Sequence, residues 1–220
     1  MRYSITLFDL DGTLIESGAG IFAATYAVID EFKLPRPSER EMRKLVGPTL
    51  SVGFSELLGI RVEDIPRALD LYRRAYRENG YEALVHAFPG AKEMLQRVKA
   101  SGSKIGIVTS RVESTAKEHL ERYGLLDQVD YIRGATPSSW DSKTELLRAA
   151  IEDLGLNEKT LRDCVMIGDR LYDIDGANSV NMDSIAVTYG YGEREELENC
   201  RPTHIVQSIE ELTRLLTRSE

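Results

Sequence analysis

The sequence predicts an α/β fold: a doubly wound parallel sheet interrupted by an inserted all-helical segment. After residue 88, short apolar runs alternate with amphipathic helices, which is the pattern of strands joined by crossover helices. Residues 17–85 instead show helical periodicity and contain no strand-like run. Polar and charged residues follow several of the apolar runs, where parallel sheets of this kind bind their ligands.

The composition is that of a globular protein with one core and a modest insert. The chain has 220 residues, of which 42% are hydrophobic and 29% charged. Its net charge of −8 and the lack of Lys/Arg-rich runs argue against a nucleic-acid partner. No apolar run approaches the roughly 20 residues of a membrane span, and the chain enters its first strand without a signal-peptide pattern. We therefore expect a cytoplasmic protein with no membrane or nucleic-acid partner.

The first predicted element is a buried strand, Ile5–Phe8, which leads directly into two acids. Asp9 and Asp11 are two residues apart and therefore point to the same side of the chain, and Gly12 then permits a sharp turn. One acid can attack an electrophile while the other handles a proton, and the pair would also attract Mg2+. The ordinary alternative is a strand that ends in an acidic turn.

The helical insert is predicted to occupy residues 17–85, which leaves 1–16 and 86–220 for the α/β core. Its apolar periodicity places helices at Ile21–Phe32, Glu39–Val46, Val52–Leu58 and Asp64–Asn79. Because the insert leaves and re-enters the core beside the acidic loop, we expect it to cover the strand ends as a lid. The alternative is a helical subdomain that takes no part in the site.

The core resumes after Pro89 and alternates between helix and strand to the end of the chain. Helices are predicted at Ala91–Lys99, Glu113–Tyr123, Ser142–Leu154, Ile174–Val180 and Ile209–Leu216. Strands are predicted at Lys104–Thr109, Tyr131–Ile132, Asp163–Gly168, Ser184–Val187 and Thr203–Val206. This alternation favours parallel pairing.

Three more polar signals lie at strand ends or at the helix starts beside them. Thr109 and Ser110 offer hydroxyl and backbone N–H groups that can hold an anion. Lys143 opens a helix, where its charge opposes the helix dipole. Asp169 and Asp173 follow a buried strand. Each signal has an ordinary explanation in a helix cap, a solvated lysine or acids at a helix start, but the fold predicts that they converge, and such a site suits phosphoryl transfer.

In their order and spacing, these residues resemble the haloacid dehalogenase-like hydrolase superfamily. Four motifs carry the resemblance, namely Asp9-x-Asp11-Gly12-Thr13, Thr109/Ser110, Lys143 and Gly168-Asp169-x-x-x-Asp173. The resemblance implies a Rossmann-like core, and the insert is similar to the family's C1-type helical cap. Two segments resemble the phosphoglycolate phosphatase-like branch: Val46-Gly47-Pro48-Thr49-Leu50, and Ala186–Gly192 followed by Glu195-Glu196-Leu197.

The resemblance implies a role for each catalytic residue. Asp9 would attack phosphorus and form an aspartyl-phosphate. Asp11 would protonate the leaving oxygen and then deprotonate the water that releases phosphate, with Thr13 helping to orient Asp11. Lys143 would neutralise charge on the nucleophile and on the phosphoryl group.

The resemblance also implies the residues that bind metal and phosphate. Mg2+ would be held by the carboxylates of Asp9 and Asp169 and by the backbone carbonyl of Asp11, with Asp173 supporting the metal's waters or Lys143 from behind. Phosphate oxygens would be bound by the Thr109 hydroxyl and by the backbone N–H groups of Leu10 and Ser110. Arg111 follows directly and is a candidate contact for the substrate.

The function expected on these grounds is Mg2+-dependent hydrolysis of a small phosphate monoester by a monomer or homodimer. Candidate substrates are a short phosphorylated acid, a nucleoside monophosphate, pyrophosphate or a sugar phosphate. A phosphomutase of the same fold is the nearest alternative, although Thr13 favours hydrolysis because such mutases often carry valine there. Asp11 favours phosphorus over carbon as the electrophile. A binding or regulatory protein without turnover would have no chemical reason to assemble these acids and the lysine.

Overall fold

Six parallel strands form the central sheet of the computed structural model, which describes residues 3–217. The strands are β1 (Ile5–Phe8), β4 (Lys104–Val112), β5 (Tyr131–Ala135), β6 (Cys164–Gly168), β7 (Asp183–Val187) and β8 (His204–Val206). Their spatial order is β5-β4-β1-β6-β7-β8, and every pair in this sheet is parallel. The predicted fold class is therefore confirmed.

Strand β1 lies in the middle of the sheet, between β4 and β6, with Phe8 opposite Ile107 on one side and Ile167 on the other. Leu7 and Phe8 are fully buried and belong to different apolar clusters, because successive side chains of a strand point to opposite faces. Burial on both faces explains why the strand reads as a continuous apolar run. Asp9 emerges at its carboxyl end, where its N–H donates to the carbonyl of Ile167 at 2.8 Å.

Helices cover both faces of this sheet. They are α5 (Ala91–Ala100), α6 (Glu113–Arg122), α7 (Lys143–Asp153), α8 (Glu158–Leu161), α9 (Leu171–Asn178), α10 (Arg194–Asn199) and α11 (Ile209–Thr217). The short helices α8 and α10 were not predicted, because four to six residues are too few to establish a helical period. Within residues 3–217, no helix is long and apolar enough to cross a membrane.

All regular secondary structure within residues 17–85 is helical, and the structure describes every residue of this insert. Its α-helices are α1 (Gly18–Glu31), α2 (Glu39–Arg43), α3 (Leu50–Val52) and α4 (Ile65–Glu78), and α3 continues into a wider, π-helical turn at Gly53–Leu57. Helix α1 begins earlier than predicted, because the small residues around Gly18 carry no apolar periodicity.

A two-stranded antiparallel ribbon connects the insert to the core. Strand β2 (Ile15–Glu16) pairs with β3 (His86–Ala87), so Ile15 lies opposite Ala87 and Glu16 opposite His86. Sequence reasoning missed both strands, because two residues cannot display the alternation that marks a strand. Both chain crossings between core and insert therefore run side by side.

Candidate active site

The carboxyl ends of β1, β4 and β6 bring together the residues that the sequence singled out. The Lys143 Nζ lies 2.6 Å from an Asp9 carboxylate oxygen and 2.9 Å from one of Asp173, and it also donates to the carbonyl of Val108 at 3.0 Å. Ser142 caps α7 through a capping box, which places Lys143 at the first helical position. This lysine is only 3% exposed, so the two carboxylates and the carbonyl supply the partners that burial requires.

The buried acids are strongly shifted from their ordinary pKa values. Burial raises the pKa of Asp9 to about 7, although the charge of Lys143 opposes that rise. Burial, together with the charges of Asp9 and Asp173, holds the pKa of Asp169 well above its usual range. Burial alone would lower the pKa of Lys143, but its two acidic partners outweigh that effect and raise it. One ammonium thus faces more buried carboxylate than it can neutralise.

One carboxylate oxygen from each of Asp9, Asp169 and Asp173 lies within 4.8 Å of the other two. Oxygen donors with excess negative charge suit a hard divalent cation such as Mg2+. The Asp169 carboxylate is held by the backbone N–H of Tyr191 at 2.7 Å. It also accepts a hydrogen bond from the Thr13 hydroxyl at 3.4 Å. Thr13 is expected from the sequence to orient Asp11, but in the structure this hydroxyl turns to Asp169 instead.

Two glycines leave the space that the Asp169 carboxylate occupies. A Cβ built on Gly12 would come within 2.2 Å of an Asp169 oxygen, and one built on Gly190 within 2.3 Å. Gly12 also has a φ of +87°, which side-chain-bearing residues rarely adopt. The tight turn and the close approach therefore both require glycine beside the acids.

The Asp11 side chain points away from this cluster and forms a two-pronged ion pair with Arg111. The Arg111 Nη2 lies 2.6 Å from one carboxylate oxygen and its Nε 2.9 Å from the other, and the two side chains are 9% and 12% exposed. Burial would raise the pKa of Asp11, but the charge and hydrogen bonds of Arg111 outweigh it and lower that pKa. Arg111 is predicted to contact the substrate, but here its guanidinium is paired with a carboxylate of the protein itself.

The predicted phosphate-binding corner lies next to this pair. Thr109 sits inside β4 rather than at its end, since the strand runs on to Val112 with a shift in its pairing to β5 after Thr109. Its hydroxyl, buried with the rest of the residue, accepts the N–H of Arg111 at 3.1 Å. The Ser110 hydroxyl is buried and has no hydrogen-bond partner among the described residues. The backbone of Leu10 is fixed by a tight turn, because its carbonyl accepts the N–H groups of residues 13–15.

A cavity of about 340 Å³ opens onto these residues and is roofed by the insert. Its floor includes Asp9, Asp11 and residues 109–111. Its roof includes residues 45–48 and, from α4, the residues Tyr72, Arg73, Tyr76 and Arg77. The sequence predicts Tyr72 and Tyr76 as a packed stripe, and their rings do stack at 5.8 Å. The two arginines were overlooked, although their spacing of four places them on one side of the helix and Arg73 lies three residues before Tyr76.

Comparison with known proteins shows likeness over almost the whole chain. A family model described as haloacid dehalogenase-like hydrolase matches residues 6–187, which run from β1 to β7. The probable phosphatase IndB of Dickeya dadantii is 30% identical over 212 residues, or 94% of this chain and 91% of that protein. The tyrosine-protein kinase PtkA of Mycobacterium tuberculosis is also 30% identical, over 96% of this chain and 72% of its own length.

A solved structure and two further relatives agree with this likeness. The crystal structure of a predicted phosphatase from Clostridium acetobutylicum superposes with a TM-score of 0.89 at 33% identity, covering 98% of this chain and 99% of that one. A 5'-nucleotidase of Pseudomonas aeruginosa is 29% identical and a phosphoglycolate phosphatase of Nitrosococcus oceani 28%, and in each case the match covers 96% or more of both chains.

Proposed function

The chain belongs to the haloacid dehalogenase-like hydrolase family, and from this premise we propose that it is a Mg2+-dependent phosphatase acting on small phosphate monoesters. The observation that carries the proposal is the buried cluster of Asp9, Asp169 and Asp173 around Lys143, from which Asp9 reaches the cavity that is also lined by Ser110 with its partnerless hydroxyl. Carboxylates, a cation and hydroxyl donors together match the charge that develops during phosphoryl transfer.

Asp9 is the proposed nucleophile. Its carboxylate oxygen attacks phosphorus while the bond from phosphorus to the leaving oxygen breaks, which forms an aspartyl-phosphate and frees an alcohol. Asp11 gives its proton to that leaving oxygen. In the second step Asp11 takes a proton from water, the water oxygen attacks phosphorus, and inorganic phosphate leaves with Asp9 restored.

Other residues of the chain position the phosphoryl group. The hydroxyls of Thr109 and Ser110 and the backbone N–H groups of Leu10 and Ser110 bind its oxygens in this proposal, and Lys143 neutralises charge on Asp9. Mg2+ would be held by the carboxylates of Asp9 and Asp169 and the carbonyl of Asp11, and when bound it supplies further neutralisation of the phosphoryl charge. Asp173 holds Lys143 in place at 2.9 Å.

Arg111 bears on which substrates this mechanism can use. The ion pair with Arg111 lowers the pKa of Asp11, so Asp11 can give a proton only after Arg111 has released the carboxylate and the carboxylate has taken up a proton. An anionic group on the leaving part of the substrate is the partner that would draw Arg111 away. Arg73 and Arg77 in the roof of the cavity favour the same chemistry. We therefore propose that a short phosphorylated acid is preferred over the phosphate ester of a neutral alcohol.

The insert is the proposed cap of this site. We assign residues 17–85 to a C1-type cap and 1–16 and 86–220 to the core, which is supported by the ribbon at the two crossings and by the cavity between the segments. The cap encloses substrate above the acids and excludes bulk water from the first step.

Phosphate release from matched substrates tests this proposal. The panel contains a phosphorylated hydroxy acid, the phosphate ester of the corresponding neutral alcohol, a nucleoside monophosphate, a sugar phosphate and pyrophosphate, each assayed with Mg2+ and with excess chelator. We expect Mg2+-dependent release that is fastest for the phosphorylated acid. Absence of release from every compound by folded protein with Mg2+ would contradict the proposed activity, and equal rates for the matched pair would contradict the proposed preference.

A further inference from the structure

Two arginines reach across the boundary between insert and core in opposite directions. From the end of α2 in the insert, the Arg43 Nη2 donates to the carbonyl of Gly190 in the core at 2.8 Å. Its guanidinium also lies over the ring of Tyr191, 5.5 Å from the centroid, which is a favourable cation–π contact. Gly190 and Tyr191 belong to the loop that also holds the Asp169 carboxylate.

Arg170 makes the return contact. It follows Asp169 directly, is only 2% exposed, and donates from Nη1 to the carbonyls of Val46 and Arg43 in the insert. Its Nε pairs with Glu196 at 2.9 Å, and Glu196 also accepts the N–H of Leu171 at the start of α9. The planar guanidinium thus serves a carboxylate and two carbonyls at once, which a lysine cannot do with the same geometry.

The segment between these contacts forms part of the cavity roof. Residues 45–48 line the cavity directly above the floor of acids. Gly47, with a φ of +125°, packs so closely on the core that a Cβ there would lie 3.1 Å from Arg170 and from Tyr172. The contacts of Arg43, Arg170 and Gly47 across the boundary therefore tie the roof to the part of the core that carries and orients Asp169.

We infer that Arg43 and Arg170 are positioning residues that form a reciprocal clasp. This clasp holds segment 43–48 over the cavity and fixes its position relative to Asp169. Neither arginine lines the cavity, so neither touches substrate there. The clasp determines the fraction of molecules in which the roof stands in its binding position. Its loss should therefore weaken substrate binding more than it slows the reaction of the bound substrate. This effect on substrate rests on the proposed function, whereas the effect on the roof does not.

The first test compares Arg43→Met with Arg40→Met by hydrogen exchange of the amides in segment 44–50. Arg40 is the matched control because it also bridges insert and core, to Glu193, but its ion pair is exposed and should contribute little. We expect exchange in this segment to rise about tenfold in Arg43→Met, as for loss of one partly buried hydrogen bond, and to stay at the wild-type rate in Arg40→Met. Arg43→Lys keeps a donor and a charge and should fall between wild type and Arg43→Met.

The second test measures KM and kcat for the best substrate of the phosphate-release panel. We expect Arg43→Met to raise KM about tenfold with kcat within about twofold, and Arg170→Lys to act on KM in the same direction. The effects of Arg43→Met and Arg170→Lys on KM should be less than additive, because each breaks the same clasp. If Arg170→Lys does not fold, Arg43→Met alone decides the question.

The outcomes separate the clasp from the proposed activity. Wild-type exchange in segment 44–50 of Arg43→Met, or the same rise in Arg40→Met, would overturn the clasp. Faster exchange with an unchanged KM would overturn its effect on substrate binding. Faster exchange in Arg43→Met, together with no phosphate release by the wild-type protein, would leave the clasp standing and contradict the proposed function instead.

Discussion

Lys143 is held by two acids that have different tasks in the proposed chemistry. Asp9 faces the cavity and is the nucleophile, whereas Asp173 does not line the cavity and keeps the ammonium in place. Because Lys143 retains Asp173 when Asp9 is neutralised, a substitution at Asp9 can remove the nucleophile without leaving the lysine alone in the interior.

Asp9→Asn should therefore abolish phosphate release while the protein stays folded. We expect a fall of more than about 1000-fold in kcat, because an amide oxygen is a poor nucleophile, and a melting temperature no lower than that of the wild type. Asp175→Asn, at an exposed position of α9, serves as the control and should keep full activity. Appreciable turnover by Asp9→Asn would remove Asp9 from the role of nucleophile.

Gly190 offers a second test at the scale of one residue. A Cβ at this position would lie 2.3 Å from the Asp169 carboxylate and 2.5 Å from the carbonyl of Gly12. Gly190→Ala should cost about 1–3 kcal/mol of unfolding free energy through overpacking, and it should weaken Mg2+ binding by displacing Asp169. Urea unfolding and calorimetric titration with Mg2+ measure the two effects. Gly176→Ala, whose nearest contact would be an ordinary 3.7 Å, should be neutral or slightly stabilising.

Some partners of single residues could not be predicted from sequence. Arg111 was a sound candidate for the site because it follows Thr109 and Ser110, but its pairing with Asp11 joins positions 100 residues apart. Likewise, nothing local indicates that the Thr13 hydroxyl turns to Asp169, 156 residues away. The motifs predict which residues meet, because the sheet brings strand ends together, but not how the side chains share their hydrogen bonds.

At the scale of elements, helix α7 shows what local sequence can predict well. Its start is defined by a capping box from Ser142 and Glu145 and by the apolar spacing of the residues that follow, and the prediction and the structure differ by one residue at each end. The π-helical turn after α3 is the opposite case, because no periodicity in the sequence indicates a widened turn of five residues. Short or irregular elements depend on packing that appears only once the chain has folded.

Helices α4 and α6 meet through a buried hydrogen bond that should make stability depend on pH. The His119 Nδ1 lies 2.8 Å from the carbonyl of Thr115, so it carries the proton, and the Tyr76 hydroxyl therefore donates to Nε2 at 3.2 Å. Burial, aided by the charge of Arg111 and opposed by Asp11 and Glu82, lowers the pKa of His119 below its usual 6.5. The neutral form is thus the one that the fold favours.

The unfolding free energy should therefore fall as the pH drops below about 6.5. In that range His119 is protonated in the unfolded chain but neutral in the folded protein. Each unit of pH therefore lowers the unfolding free energy by up to about 1.4 kcal/mol, until the pH reaches the pKa of His119 in the folded protein. His119→Gln, which can keep both hydrogen bonds, should remove this part of the slope in urea unfolding between pH 5 and 8. His86→Gln, at an exposed position, is the control. An unchanged slope in His119→Gln would show that this histidine does not set the acid limb.

At the scale of the whole molecule, the charge of the cavity lining is opposite to that of the chain. The protein carries a net charge of −8, yet the cavity gathers Arg73, Arg77 and Arg111 around only two acids, Asp9 and Asp11, among its described lining residues. Composition alone argues only against a nucleic-acid partner, because it averages over this local reversal. The orientation of α4 over the sheet creates it, and no local pattern encodes that orientation.

Arg77→Gln should reveal the consequence for substrate choice. We expect kcat/KM to fall about five- to tenfold for the phosphorylated acid and less than twofold for the ester of the matched neutral alcohol, since only the first can pair with the guanidinium. Arg74→Gln lies on the same helix but outside the cavity lining, and it should change neither value. Equal losses for both substrates would assign Arg77 to the structure of the cap and not to recognition.

The β2–β3 ribbon has a consequence for how such a molecule can change over evolution. Because Glu16 and His86 are paired neighbours, the chain that leaves the core at one returns at the other, and a two-residue hairpin turn could close the same ribbon. The pairing of the ribbon therefore sets no limit on the number of residues between these two positions. A different insert could therefore replace residues 17–85 at this ribbon, and change the range of substrates, while the core residues of the candidate site stay the same.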